Sequence, residues 1–173
     1  DLNGEPADCE ALYVVWAGAN DFFVATGSPE DTVATGVTNT FLAVQRLHSL
    51  GAKHIMVVNL PDLGLTPFGR SVDPVGLSFV SAVYNFTLDS TLDNLQAAGI
   101  ETIRLDSAGI LQGVVAEPWR FGFTNVEDAF YPNLVGNPSS FLFWDSVHPT
   151  TRGHRVIARE AYQVLKRRSY GGS

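Results

Sequence analysis

Apolar residues are concentrated in short runs at three places along the chain. Runs of this length without regular polar alternation are typical of strands that are buried on both faces of a parallel sheet. We predict strands over residues 12–17, 54–60 and 100–105. Because each strand is followed by a helical pattern, the order of elements predicts an α/β fold with a parallel sheet.

Between and after the strands, apolar residues recur at spacings of three and four positions, which places them on one face of a helix. The predicted helices cover residues 29–50, 75–98, 108–115 and 150–168. The apolar faces of the three long helices are Val33, Val37, Phe41, Val44 and Leu47, then Val80, Tyr84, Leu88, Leu92 and Leu95, and last Ile157, Ala161, Val164 and Leu165. No linker or repeat interrupts the pattern, so residues 1–173 are predicted to form a single domain.

The segment 117–143 does not fit either pattern, because prolines interrupt it and aromatic residues are dense in it. Two interpretations of this segment stay open. It is either a functional loop that covers the substrate side, or an ordered surface loop that its aromatic side chains hold on the core.

Composition narrows the classes of function. The formal net charge is −7, and 45% of the 173 residues are hydrophobic, which supplies a sizeable core. The one basic run, at 166–168, ends the last predicted helix, so nucleic-acid binding is not expected. The single Cys9 cannot form an internal disulfide, and no apolar run is long enough to span a bilayer. A metal site would need a tighter constellation than the histidines offer, so no metal is expected. No other cofactor is implied by the sequence.

An acid and an imidazole lie three positions apart at Asp145 and His148, just before the last predicted helix. The carboxylate of Asp145 can fix the tautomer of His148 and stabilise the imidazolium, which leaves the other ring nitrogen to face a nucleophile. Pro149 suits the first helical position, and a helix N-terminus beside His148 favours the neutral, basic ring. The alternative interpretation is a capped helix with a surface histidine.

The first predicted strand ends in Gly18, Ala19, Asn20 and Asp21. The carboxyl ends of parallel strands form the rim on which open α/β sheets bind ligands. An Asn20 amide on that rim can donate to an oxyanion, and Gly18 lets the backbone approach a substrate closely. The alternative is a simple turn, which Asn and Asp stabilise locally. His148 lies at the start of the last predicted helix, and in a parallel sheet with alternating helices this position belongs to the same rim. We therefore predict that Asn20 and His148 converge over one cleft.

Residues 18–21 resemble block III, and residues 145–148 resemble block V, of the GDSL or SGNH ester hydrolases. Further stretches are similar to the longer bacterial and plant-like branch of this family, namely 58–64, 84–85, 143–145 and 148–150. The resemblance implies a three-layer αβα, flavodoxin-like fold, with His148 as general base, Asp145 as its orienter and Asn20 as an oxyanion-hole donor. It also implies ester substrates with short to long acyl chains, including lipids, and favours a secreted or periplasmic location.

The sequence departs from the family at the nucleophile, because it contains no Gly-Asp-Ser motif. The block II glycine that completes the oxyanion hole is also absent, so the resemblance implies an N-terminally truncated domain, the C-terminal two-thirds of an SGNH hydrolase. Ser146 is nearest in sequence to His148, but its position between the acid and the base makes attack on a carbonyl awkward. The other serines considered are Ser71, Ser78, Ser81, Ser90 and Ser107, and we assign none of them.

The sequence therefore predicts a carboxylic ester hydrolase whose nucleophile is not identified. Two alternatives stay open: a non-catalytic fragment of such an enzyme that oligomerises, and an acyltransferase, in which an alcohol replaces water as the acyl acceptor. In the family's fold the missing first strand lies beside the strand at 12–17, so an apolar strand edge is left open. We expect a second copy of the chain, or a separate N-terminal piece, to cover that edge.

Overall fold

The computed structural model describes residues 5–24 and 27–170. In chain order the elements are β1 (Leu12–Val15), α1 (Ala19–Val24), α2 (Pro29–Ser49), β2 (His54–Val58), α3 (Pro67–Val72), α4 (Pro74–Ala97), β3 (Ile103–Leu105), α5 (Ser107–Ala116), α6 (Pro118–Phe121), β4 (Asn125–Ala129), β5 (Phe141–Phe143) and α7 (Thr151–Tyr170). Short 3-10 turns cover Leu63–Leu65 and Pro138–Ser140.

The described residues form two compact units. The first contains the residues up to Leu60 together with Ala82–Leu105, and the second contains Pro61–Ser81 and the residues from Asp106 onwards. Helix α4 contributes residues to both. The single domain expected from the sequence stays a prediction.

The first unit contains three parallel strands in the order β1-β2-β3. The register pairs Leu12 with His54 and Met56 with Ile103. Parallel neighbours need crossover connections, and here the connections between successive strands contain the long helices α2 and α4. The α/β class and the parallel sheet predicted from the sequence are confirmed.

Helix α2 begins where local chemistry favours a start. The Ser28 hydroxyl accepts the N–H of Asp31 at 3.1 Å, and Pro29 occupies the beginning of the helix. After the helix, Gly51 adopts φ +98°, a left-handed conformation that glycine reaches without strain. The predicted apolar face is confirmed, with Val33, Val37 and Val44 buried and Phe41 and Leu47 half-buried.

Helix α4 carries the clearest confirmation of the helical pattern. Every member of its predicted apolar face is buried, namely Val80, Tyr84, Leu88, Leu92 and Leu95. Asn85, which follows Tyr84 and lies in the first unit, holds the chain after β2. Its side-chain NH₂ group donates to the Leu60 carbonyl, and its side-chain oxygen accepts the Leu60 N–H, each at 2.8 Å. This side chain satisfies two backbone groups that have just left the sheet.

Strand β1 is shorter than predicted, and the prediction that it is buried on both faces was wrong. Leu12 and Val14 are 41% and 54% exposed, and Trp16, just after the strand, is 42% exposed. The reason is that β1 lies at the edge of the sheet, where β2 is its partner among the described strands. Because side chains alternate between faces, these apolar groups share one face while Tyr13 and Val15 on the other are half-buried.

The second unit corrects the prediction for 117–143. This segment is ordered into α6, β4, the turn Pro138–Ser140 and β5, and β4 pairs with β5 in parallel. Helix α3 was also missed. One cluster in the core of this unit contains Val114, Phe123, Leu142, Phe143 and Val156.

Helix α7 confirms the last predicted helix with two corrections. It begins at Thr151, so Pro149 lies before the helix and forms a bridge with Phe143 instead of taking the first helical position. Val156 is buried in this helix, whereas the predicted apolar residues Ile157, Ala161, Val164 and Leu165 are half-buried. Among the described helices, none combines the length and apolar character that a membrane span requires.

Candidate active site

The second unit brings Asp145 and His148 together on one tight turn. Oδ1 of Asp145 accepts the backbone N–H groups of Val147 at 2.9 Å and His148 at 2.7 Å. A side-chain carboxylate that bonds the backbone two and three residues ahead closes such a turn locally. The bonds that pair Asp145 with His148 are therefore all made within the turn itself.

The imidazole of His148 folds back onto the same carboxylate. Its Nδ1 lies 2.8 Å from Oδ2 and 3.1 Å from Oδ1 of Asp145. An ionised carboxylate only accepts hydrogen bonds, so Nδ1 donates, and Nε2 of the neutral ring is left as the basic nitrogen. The His148 side chain is 67% exposed, which leaves the ring accessible to a substrate.

The electrostatics of the turn keep Asp145 ionised. Burial acts to raise the pKa of Asp145, but the hydrogen bonds from Val147 and from the backbone and ring of His148 outweigh it and hold that pKa below its ordinary value of 3.8. At neutral pH the carboxylate can thus orient the ring and stabilise its cationic form.

Backbone hydrogen bonds anchor the turn on both sides. The N–H of Trp144 donates to the His148 carbonyl at 2.8 Å, and the N–H of Phe68 donates to the Ser146 carbonyl at 2.8 Å. Beyond the turn, the Thr150 hydroxyl accepts the N–H of Gly153 at 3.3 Å and so caps α7. The sequence pattern did not identify Phe68 as an anchor, because its contact with the turn is long-range.

Gly18 and Asn20 lie in the first unit, just after β1, with Asn20 in the first turn of α1. The Asn20 side chain is exposed, and Gly18 adopts φ +109°, which favours glycine. The predicted convergence of Asn20 with His148, and the contact of Gly18 with a substrate, both stay predictions.

The buried Tyr84, which the sequence pattern did not link to the site, lies beneath the turn formed by residues 18–21. A Cβ on Gly18 would lie 3.0 Å from the Tyr84 hydroxyl, and one on Gly36 would lie 2.9 Å from the Tyr84 ring. The hydroxyl is within 3.3 Å of Thr40 Oγ1, and Phe22 packs edge-on against the ring at 6.0 Å. The two glycines thus leave room for Tyr84 between β1 and α2.

Within the second unit, several candidate serines are committed to other bonds. The hydroxyls of Ser71 and Ser81 donate to the carbonyls of Phe68 and Leu77 at 2.7 Å each. Ser78 donates to Asp62 at 2.6 Å. Ser146 is exposed on the turn itself. None of these four hydroxyls bonds the His148 ring, and the nucleophile stays unassigned.

The other histidines, His48, His54 and His154, are exposed and lie in α2, at the start of β2 and in α7. Over residues 5–24 and 27–170, no group of three or more His, Cys, Asp or Glu side chains is arranged to hold a metal ion.

A parallel α/β sheet and a turn that pairs a histidine with a carboxylate agree with what comparison with known proteins finds. The model of the GDSL-like lipase/acylhydrolase family matches residues 3–161, and the chain belongs to this family. Membership confirms the resemblance read from residues 18–21 and 145–148, and with it the three-layer α/β fold of the SGNH hydrolases.

Three relatives illustrate the range of the family. The chain is 36% identical to an uncharacterized protein in the trpE-trpG intergenic region of Pseudomonas putida, covering 94% of this chain and 30% of the relative. It is 33% identical to esterase EstA of Pseudomonas aeruginosa, covering 94% of this chain and 27% of the relative. It is 27% identical to phosphatidylcholine-sterol acyltransferase of Aeromonas hydrophila, covering 90% and 61%. The chain thus spans between about a quarter and three-fifths of the length of these relatives.

Proposed function

We propose that this chain provides the base, its orienter and one oxyanion donor of a carboxylic ester hydrolase. The observation that carries the proposal is the Nδ1–Oδ2 distance of 2.8 Å between His148 and Asp145, which leaves Nε2 free to accept a proton. The names of the relatives, which include an esterase and an acyltransferase, support acyl transfer from an ester as the reaction class.

In the proposed reaction a serine hydroxyl attacks the ester carbonyl and gives its proton to Nε2 of His148. The Asn20 amide donates to the developing oxyanion, and Gly18 gives the substrate close access to the backbone. His148 then returns the proton to the leaving alkoxide as the carbon–oxygen bond breaks, which leaves an acyl-enzyme. Water repeats the same steps and releases the carboxylic acid.

Labelling with a fluorophosphonate, followed by peptide mass mapping, tests the covalent step. We expect one serine to be modified in protein that hydrolyses a p-nitrophenyl ester, and we expect prior exposure to the ester to slow the modification. Active protein in which no serine is labelled would remove covalent serine catalysis from the proposal.

Two other functions have specific support. An acyltransferase differs only in the acceptor, and the Aeromonas hydrophila relative is named for that activity. Adding an alcohol to the assay and measuring the new ester against the free acid separates the two activities. A non-catalytic, oligomerising fragment is supported by the absence of a Gly-Asp-Ser motif in the 173 residues.

We also propose that another polypeptide, either a second copy or a separate N-terminal piece, covers the open edge of β1. Val14 is 54% exposed on this edge strand, and exposed apolar edges favour pairing with a further strand. We expect light scattering to show a species larger than one chain. Val14→Glu should shift it toward the monomer, whereas Val72→Glu, a matched change at a residue that is 63% exposed in α3, should not. A monodisperse monomer of the unmodified chain would contradict the self-association.

A further inference from the structure

Two aromatic side chains lie exposed beside the Asp145–His148 turn. The rings of Tyr131 and Trp144 stack with centroids 6.5 Å apart and an angle of 15° between their planes. Tyr131 is 53% exposed and Trp144 is 42% exposed. We call these two rings the aromatic platform.

The core of the second unit holds the platform in place. The buried ring of Phe130 lies 5.6 Å from that of Trp144 and 5.5 Å from that of Phe141. The N–H of Tyr131 donates to the Trp144 carbonyl at 2.7 Å, which extends the pairing of β4 with β5 by one step. Rigid aromatic rings on a fixed backbone lose little conformational entropy when they bind an apolar ligand.

The platform is continuous with the turn that carries the proposed base. Trp144 precedes Asp145 directly, and its N–H closes the turn by donating to the carbonyl of His148 at 2.8 Å. After Tyr131 the apolar surface continues into Leu134 and Val135, which are 53% and 76% exposed. Leu134 has φ +53°, a left-handed conformation that is uncommon for a leucine and that the Leu134 N–H to Phe130 carbonyl bond of 2.8 Å holds.

The size of the platform decides among possible occupants. Its two partly exposed rings present roughly 200 Å² of surface, since one aromatic side chain offers about 150–250 Å² in total. A stable interface with a second copy needs about 800 Å² on each partner. A single hydrocarbon chain, which is narrow and gains binding free energy with each CH₂ that it buries, matches the smaller area.

We propose that the aromatic platform binds the acyl chain of an ester substrate and so sets the preference for acyl length. The inference rests on the proposed function, because it takes the carbonyl of that acyl group to react beside His148. Tyr131 and Trp144 are then specificity-determining residues, and the segment 117–143 supplies the substrate-side surface that was one of its two interpretations.

A fluorescence experiment measures this binding without any need for turnover. The sequence has three tryptophans, so Trp16→Phe with Trp119→Phe leaves Trp144 as the single emitter, and Trp16→Phe with Trp144→Phe leaves Trp119 as a matched reporter. Trp119 is 68% exposed, more than Trp144. The probe is ω-bromoundecanoic acid, kept below the concentration at which it forms micelles, since bromine quenches indole on contact.

We expect saturable quenching of Trp144 and only weak, linear quenching of Trp119. Tyr131→Ser should weaken binding by about tenfold, while Tyr131→Phe, which keeps the ring, should change it by less than about twofold. Equal quenching of both reporters, or no saturation at Trp144, would overturn the proposal. Quenching of Trp144 only by phosphatidylcholine vesicles with brominated chains would also overturn it, in favour of a membrane surface.

Hydrolysis separates this inference from the proposed function. With p-nitrophenyl esters, Tyr131→Ser should raise KM for a dodecanoate by about tenfold and leave KM for the acetate within about twofold, with kcat little changed. Normal hydrolysis with equal KM changes for both esters would contradict the platform alone. Saturable quenching in protein that hydrolyses neither ester would contradict the ester hydrolase alone.

Discussion

His148→Ala is expected to lower kcat for p-nitrophenyl ester hydrolysis by at least about a thousandfold, because the variant loses the group that takes the nucleophile's proton. KM should change much less, since the ring is proposed to act mainly in the transition state. The measurement is initial rate against ester concentration for both proteins at neutral pH.

His154→Ala is the matched control, because His154 is also exposed but lies on α7 away from the turn's hydrogen bonds. Its rate should equal that of the unmodified chain. Equal rates for all three proteins would eliminate His148 as the base. If none of the three proteins hydrolyses the ester, the non-catalytic fragment becomes the better account of this chain.

Tyr84→Ala is expected to destabilise the protein by about 3–5 kcal/mol, the usual cost of removing a large buried ring. Tyr84 is 1% exposed and fills the space that Gly18 and Gly36 leave open, so its loss creates a cavity beneath the Asn20 turn. Urea denaturation gives the free energy of unfolding of each variant. Tyr162→Ala, at a tyrosine that is 60% exposed on α7, should cost less than about 0.5 kcal/mol.

The hydroxyl of Tyr84 makes a separate, pH-dependent contribution. Burial raises the pKa of Tyr84 above its ordinary value of 10.0, with Asp21 adding to the rise and the bond with Thr40 opposing it. A raised folded pKa gives stability that is complete below pH 10.0 and is lost as the pH rises through the folded value. As the pH rises above 10.0, the free energy of unfolding of Tyr84→Phe should therefore fall less than that of the unmodified chain. Parallel alkaline profiles would show that Tyr84 titrates normally.

The sequence predicted the long helices well because burial follows one regular period over many turns. In α4 all five predicted apolar positions are buried, and in α2 the start is encoded locally by Ser28 and Pro29. Signals that depend on neighbours within a few residues are visible in a sequence.

The second unit shows where such signals fail. Strand β4 has the sequence Asn-Val-Glu-Asp-Ala, in which one valine is the only β-branched residue and no residue is aromatic, whereas typical strands are rich in both. Strand β5 has only three residues. Their pairing depends on a partner about 15 residues away, which a periodicity does not record. The error in β1 has the same origin, because an apolar run does not show whether a second neighbour is present.

The same distinction between local and long-range contacts applies to the candidate site. The pairing of Asp145 with His148 was predictable, since it is made within one turn. The anchoring of that turn by Phe68 and the packing of Tyr84 against Gly18 were not, because these contacts join residues that are distant in sequence. The role of Asn20 stays a prediction, because its convergence with His148 would also join residues that are distant in sequence.

The self-contained turn that carries the base and its orienter also makes distant variants easier to interpret. The bonds that pair Asp145 with His148 begin and end within four consecutive residues. We therefore expect a substitution in the first unit to leave this pairing intact. If such a variant hydrolyses esters slowly, we expect the defect to lie in the delivery of the nucleophile or of the oxyanion donor and not in the proposed base.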